Sequence, residues 1–301
     1  MAALGRRLPG RAIAVVTRAP RLHATSAASG AAMPGPRIFE DEVSLEFRDG
    51  VALITMTSTV GEFAWGTKRE EHRWNPITVR ALSQALDAVE GSPEANAVVV
   101  ANAGKFWSNG MDLKFMDAHE GQVLKDHGAN LNELMARICC FPLPTVAAFN
   151  GHWCAAGGMM GLAFDYRVMA NDRGFFFIPG VDLGLVYSPL QTALMKAKLP
   201  VSMHREVILF NRKRWIGQDL LEQGLVEATV PSAEVLDSAL ALAASLKAKG
   251  QGPARKVLGS LKRGVYSEVV QALAMGGDMG YGGRTKGVDR AAPPATPKSK
   301  L

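Results

Sequence analysis

Two stretches of this chain are short, wholly apolar and closed by a turn: Ala97-Val98-Val99-Val100, and Thr145-Val146-Ala147-Ala148-Phe149 running into Asn150-Gly151. Apolar runs this short, without alternation, fit strands buried by the rest of the core. A third, Gly174-Phe175-Phe176-Phe177-Ile178, reads the same way. Helical text separates them. Asn75 as N-cap and Pro76 at the first helical position open one helix, with Val79, Leu82, Leu86 and Val89 as its buried stripe. Leu131–Ile138 and the Gly/Ala/Met-rich Ala155–Phe164 read as two more. Upstream, Val43, Leu45 and Phe47, then Asp49-Gly50, then Val51–Met56 predict a β-hairpin. Strand–helix alternation around short buried strands predicts an α/β core.

From about Ser188 the text turns helical, broken at Gly224 and Pro231, with amphipathic helices expected over Leu236–Ala248 and within Ala254–Ala274. The expected organisation is a leader over 1–39, an α/β core over 40–190, a helical region over 191–275 and an unpacked tail over 276–301. The formal charge of +6 tests a nucleic-acid reading and removes it. Residues 1–39 hold six arginines and no acid, which leaves 28 basic and 28 acidic residues beyond them. The part expected to fold is formally neutral, so no basic groove is expected. No apolar run approaches the ~20 residues of a membrane span. Cys139, Cys140 and Cys154 are odd in number and lack metal-ligand spacing, which fits a reducing compartment and no metal site.

The two ends carry addresses. The Arg-, Ala- and Ser-rich leader has the composition of a mitochondrial or plastid transit peptide, or equally of a compositionally biased disordered segment; Met33 is a candidate downstream start. The chain finishes Ser299-Lys300-Leu301, the tripeptide read by the peroxisomal import receptor, after a Pro-rich run that keeps it accessible. Peroxisomal delivery is therefore expected.

Chemistry concentrates in two segments: Gly104-Lys105-Phe106-Trp107-Ser108-Asn109-Gly110-Met111-Asp112-Leu113 and Pro144 through Gly158. Each puts a small-residue turn after an apolar strand, where a backbone N–H is open to approach. In the second segment that N–H also begins a helix. Two such N–H groups together make an oxyanion hole, a device for charge developing on a carbonyl oxygen.

These two segments, in this order, resemble the crotonase (enoyl-CoA hydratase/isomerase) superfamily over roughly Val43–Pro231. The wording of Phe106–Leu113, Pro142–His152, Asp172-Arg173-Gly174 and His72-Arg73-Trp74-Asn75-Pro76 looks closest to plant-type peroxisomal Δ3,Δ2-enoyl-CoA isomerases. The resemblance implies a spiral of ββα units, a C-terminal helical region supporting a homotrimer, and an acyl-CoA thioester as substrate, with no further cofactor. Carried over by position, the oxyanion donors are the N–H groups of Met111 and Ala156. Lys105, Phe106, Trp107 and Ser108 would border the CoA adenine, with Gly110 and Gly157 beside the ligand.

Two positions depart from the family pattern. The first glutamate of the hydratases falls at Met159, which argues against water addition. The glutamate that shuttles the proton in the isomerases falls at Gly180, which has no side chain to do so. Asp182, returning to the same face of an extended segment, is one candidate stand-in, and the base is not identified. Tyr187 and Ser188, His152, Asp165 and Cys154 are the other groups nearby, each equally readable as structural. The expected activity is conversion of a 3-enoyl-CoA to a 2-enoyl-CoA through a thioester enolate in fatty-acid β-oxidation. The alternatives are another enolate reaction on the same scaffold, by thioester hydrolysis or decarboxylation, and a pseudoenzyme that only binds acyl-CoA.

Overall fold

A computed structural model describes residues 35–57, 61–102 and 104–276. The greater part of the leader, Met33, and the tail with Ser299-Lys300-Leu301 lie outside the described residues. The described chain opens with β1 (Arg37–Phe39), β2 (Val43–Arg48) and β3 (Val51–Met56). The hairpin turns at Asp49-Gly50 as expected, both with positive φ. Helix α1 (Pro76–Glu90) begins with Asn75 accepting from the Ile77 and Thr78 N–H groups while the Thr78 hydroxyl accepts from the Asn75 N–H. Val79, Leu82, Leu86 and Val89 are all buried.

Three turns of the same pattern follow. Strand β4 (Ala97–Asn102) leads into β5 (Phe106–Ser108), then α2 (Leu113–Ala118) and α3 (Gln122–Cys139). Next come β6 (Thr145–Phe149), β7 (His152–Cys154) and α4 (Ala156–Ala163). The third turn is β8 (Tyr166–Ala170), β9 (Phe176–Phe177) and α5 (Gly180–Leu183). In each, the first strand joins a seven-stranded sheet ordered β1-β2-β3-β4-β6-β8-β10, and the second joins a three-stranded sheet ordered β5-β7-β9. β1–β2 and β2–β3 pair antiparallel; the other pairings are parallel. This is the ββα spiral expected of a crotonase-type α/β fold.

The remainder is α6 (Pro189–Lys198), the one-turn α7 (Val201–Met203), α8 (Gly217–Glu222), β10 (Ala228–Val230), α9 (Val235–Leu246), α10 (Gly252–Val265) and α11 (Ser267–Ala274). Four strands fall where none was expected: β1, β5, β7 and β10. Arg37–Phe39, at the end of the leader, pairs with β2, and β10 extends the large sheet from within the helical region. The helix expected within Ala254–Ala274 is two helices, broken at Tyr266.

The apolar strands are buried on both faces. Val98 and Val100 join one hydrophobic cluster, while Ala97, Val99 and Ala101 join another completed by Val235, Ala239 and Ala243 of α9. Trp153 of the small sheet stacks on Phe149 of β6 at 4.1 Å and on Phe176 of β9 at 4.2 Å between ring centroids. Lys262 of α10 ties the C-terminal helices to the core. Its ammonium donates to the carbonyls of Phe141 and Leu143 and to the Asp165 carboxylate, which also accepts from the Thr145 N–H and hydroxyl. Asp165 is thus a structural anchor. Among the described residues no helix is long and apolar enough to cross a membrane.

Candidate active site

The ends of the two spiral turns are held against each other. Gly110 has φ +85°, and a Cβ there would lie 2.8 Å from the Cβ of Ala155 and 3.4 Å from the Ala156 nitrogen. Only glycine permits that approach. Behind them a Cβ on Gly157 would meet the Ser108 carbonyl oxygen at 2.6 Å, so α4 sits directly on β5. Gly110 and Gly157 are therefore spacers that bring the turns together, and neither lines the cavity described below. Ala155 itself takes φ +52°, ψ −125°, a strained conformation for a residue with a Cβ.

The Met111 turn is braced from three sides. The Trp74 N–H donates to the Gly110 carbonyl at 2.8 Å, and the Asp112 N–H to the Trp74 carbonyl at 3.0 Å. Nη1 of Arg73 donates to the carbonyls of both Asn109 and Met111 at 2.9 Å. The buried Asp112 carboxylate accepts from Trp65, Thr67, Asn75 and the Phe115 N–H, capping α2. With its neighbours so engaged, the Met111 N–H donates to none of the described residues. Nor does the Ala156 N–H, the first of α4, where the helix itself offers no acceptor.

Both residues line one cavity of ≈ 190 Å³. Its walls are apolar, with Leu113, Met159, Phe177, Ile178, Leu183 and Leu185 among them; its polar groups come from Arg73, Asn109, Tyr187 and Gln191. Among the described residues no aspartate or glutamate lines it, and Arg73 is its one charged side chain. Nε of Arg73 donates to Glu71 at 2.5 Å, Nη1 is spent on the two carbonyls, and Nη2 donates to none of the described residues.

Gly180 also lines the cavity, and the space a side chain would need is taken. A Cβ there would lie 2.0 Å from the Tyr187 hydroxyl oxygen and 2.2 Å from its ring carbon. That hydroxyl accepts from the Gly180 N–H at 2.8 Å and donates to the Ile178 carbonyl at 3.3 Å. Burial pushes the phenol up to about 12, against the opposing effect of the Gly180 N–H, with the charge of Asp182 adding to the rise. Tyr187 is therefore a neutral hydrogen-bond donor at ordinary pH. Cys154 is held protonated in the same way: burial raises its thiol to about 12, although Arg214 and Arg73 pull the other way.

Several expected site residues sit elsewhere. Asp182, the candidate stand-in base, accepts a short hydrogen bond from the Asn211 amide and does not line the cavity. Trp107 and Ser108, in the stretch expected to border the CoA adenine, are fully buried. Trp107 packs between Phe149 and Phe164, and Ser108 bonds the His72 carbonyl. Lys105 is exposed, its ammonium over the half-buried Phe106 ring, and neither lines the cavity. His152 stacks between Phe106 and Phe175 outside the cavity, and burial with the charges of Lys105 and Arg214 lowers it to about 4. Met159, the vacant hydratase position, does line the wall. Arg73 and Gln191 escaped the sequence reading as site residues. For Arg73 the signal was present in His72-Arg73-Trp74, whereas Gln191 carries no motif.

The profile of enoyl-CoA hydratase/isomerase matches residues 72–282. The chain belongs to the enoyl-CoA hydratase/isomerase family. Within it, the chain is similar to Enoyl-CoA delta isomerase 3 of Arabidopsis thaliana, at 31% identity over 236 residues, 76% of this chain and 94% of the relative. It is also similar to the peroxisomal Enoyl-CoA delta isomerase 2 of the same plant, 28% identical over 77% of this chain and 95% of that one. The fold is shared with a probable enoyl-CoA hydratase of Mycobacterium tuberculosis, at TM-score 0.68 and 24% identity, covering 78% and 93% of the two chains. In this member of the family two backbone turns meet at a cavity whose wall has no carboxylate among the described residues.

Proposed function

We propose that the cavity binds an acyl-CoA thioester and stabilises its enolate, with Met111 and Ala156 donating their N–H groups to the thioester oxygen. One observation carries this reading. Two backbone donors without acceptors lie on one apolar cavity, on turns brought into contact by Gly110 and Gly157. Unpaired buried N–H groups are costly to keep, and an oxyanion satisfies both. The loss of one such donor costs roughly 10²–10³ in rate.

The reaction suggested by the relatives' names is the shift of a 3-enoyl-CoA to the conjugated 2-enoyl-CoA. On this reading a proton leaves C2 and one returns at C4 by a base not assigned among the described residues; Tyr187 fills the Gly180 space but is held protonated. Purified protein should then raise the absorbance of the conjugated thioester from a 3-enoyl-CoA. No rise, with a saturated acyl-CoA still bound, would leave the second reading, an acyl-CoA-binding protein that turns over poorly. The phenol filling the Gly180 space favours that second reading. A homotrimer, and delivery to the peroxisome through Ser299-Lys300-Leu301, complete the proposal. Deletion of the tripeptide should release the protein from peroxisomes.

A further inference from the structure

Polar groups sealed inside a fold are nearly always hydrogen-bonded, so two that are not, on one cavity, outline a binding site. Glu42 and Trp74 form such a pair, at 2% and 1% exposure. Glu42 Oε2 and Trp74 Nε1 have no partner among the described residues. Both side chains line a second, much smaller cavity of ≈ 10 Å³, against the apolar Val43, Met56 and Leu82. That is about the space of one water-sized sphere. The other polar groups on its wall are engaged. The Thr78 hydroxyl accepts from the Asn75 N–H and donates to the Arg73 carbonyl, and His72 has a partner of its own. An indole N–H only donates and an ionised carboxylate only accepts. The occupant must therefore accept from one and donate to the other within the room of a single heavy atom. Water does both, whereas a cation opposes the indole N–H and an anion opposes the carboxylate.

We propose that this cavity binds one ordered water, which accepts from Trp74 Nε1 and donates to Glu42 Oε2, and that the bridge makes Trp74 a positioning residue for the Met111 turn. The positioning role, unlike the water itself, rests on the reading of the larger cavity as an acyl-CoA site. Trp74 pairs in parallel with Met111: its N–H donates to the Gly110 carbonyl at 2.8 Å, and its carbonyl accepts from the Asp112 N–H at 3.0 Å. Holding the indole therefore holds the strand that carries the turn. At the other end of the bridge, Nη1 of Arg69 donates to Glu42 Oε1 at 2.6 Å. Burial raises the Glu42 carboxyl to about 7, with Arg69 opposing the rise and Asp41 adding to it. The other charged or titratable groups of the surrounding elements are His72 on the cavity wall, Glu70, the Glu71–Arg73 pair, and the Glu40–Arg80 pair that joins the same turn to α1. Asp112 and His127 lie at the Trp74 backbone, and burial holds His127 at about 4, outside the range in which Glu42 changes charge. Above about pH 7 the carboxylate accepts from the water. Below it the carboxyl donates instead, the water turns, and the field at the indole N–H changes.

The test uses the full-length protein. A crystal structure at about pH 8 should show an ordered water about 3 Å from both Trp74 Nε1 and Glu42 Oε2. No density there, or direct contact of either atom with protein, overturns the site. In protein carrying nitrogen-15-labelled tryptophan, the Trp74 indole resonance is the one missing from Trp74→Phe. It should move between about pH 6 and pH 8 in the parent and stay still in Glu42→Gln. A resonance that moves equally in Glu42→Gln answers to His72 and overturns the link to Glu42. Affinity for a saturated acyl-CoA reads the positioning role. Trp74→Phe should weaken it about fivefold, and from pH 6 to pH 8 the parent should gain about twofold relative to Glu42→Gln. Unchanged affinity in Trp74→Phe, or equal pH profiles in parent and Glu42→Gln, overturns that role. A parent that binds no acyl-CoA overturns the reading of the larger cavity and the positioning role with it, while the water site is decided by the density and the resonance.

Discussion

The contact between Tyr187 and Gly180 closes position 180 to a side chain. A glutamate at 180 cannot be added by substitution alone, because its Cβ would begin inside the phenol, 2.0 Å from the hydroxyl oxygen. Gly180→Glu by itself is therefore expected to destabilise the protein and give no gain in 3-enoyl-CoA isomerisation. Gly180→Glu combined with Tyr187→Ala should create the activity or raise it at least tenfold, since a positioned general base contributes roughly 10²–10⁴. A conjugated-thioester absorbance assay on both variants checks this. Ala155 offers a second test at this scale. Its φ of +52° and ψ of −125° suit glycine, so Ala155→Gly should stabilise by about 1 kcal/mol in a denaturant titration. Affinity for acyl-CoA should be kept.

At the scale of elements, legibility followed burial and length. The hairpin, α1 and β6 were readable because apolar runs, Asp-Gly and Asn-Pro are local signals. Of the second sheet only β9 was, within Gly174–Ile178; β5 and β7 have three residues each and no periodicity shows in so few. β10 was hidden for the same reason. The site was half legible. Its turns are contiguous text, whereas Arg73, Gly180 and Tyr187 meet only through the spiral. Asp182 shows the limit of spacing arguments: an extended segment would return it to the face of Gly180, but these residues form the short helix α5 and Asp182 turns to Asn211. The attachment of α10 to the end of β6 is equally non-local. Lys262 is buried and its ammonium lies 2.5 Å from Asp165. Lys262→Met leaves that carboxylate without its partner and should cost about 3 kcal/mol by chemical denaturation, the loss expected when one half of a buried ion pair is removed.

Over the whole molecule, two layers of work are separated. The large sheet and α9 hold the fold, while the small sheet and the helices that follow it shape the cavity. Stability should respond to acid through the interior rather than the site. Burial lowers His127 of α3 to about 4, below its usual 6.5. Between those values the unfolded chain binds the proton and the folded chain does not, so stability falls as pH drops from 6.5 towards 4. The contribution is about 3 kcal/mol at most. Burial raises the Glu42 carboxyl to about 7, which acts in the opposite sense, so the His127 contribution is read as a difference: from pH 6.5 to 4 the melting temperature should fall less, or rise more, in His127→Leu than in the parent.

The account depends most on where a bound thioester oxygen lies. A crystal structure with a saturated acyl-CoA measures this directly. The expected result places that oxygen about 3 Å from both the Met111 and Ala156 nitrogens, with the acyl chain along Met159 and Tyr187. A thioester bound elsewhere, or an oxygen touching neither nitrogen, would contradict it.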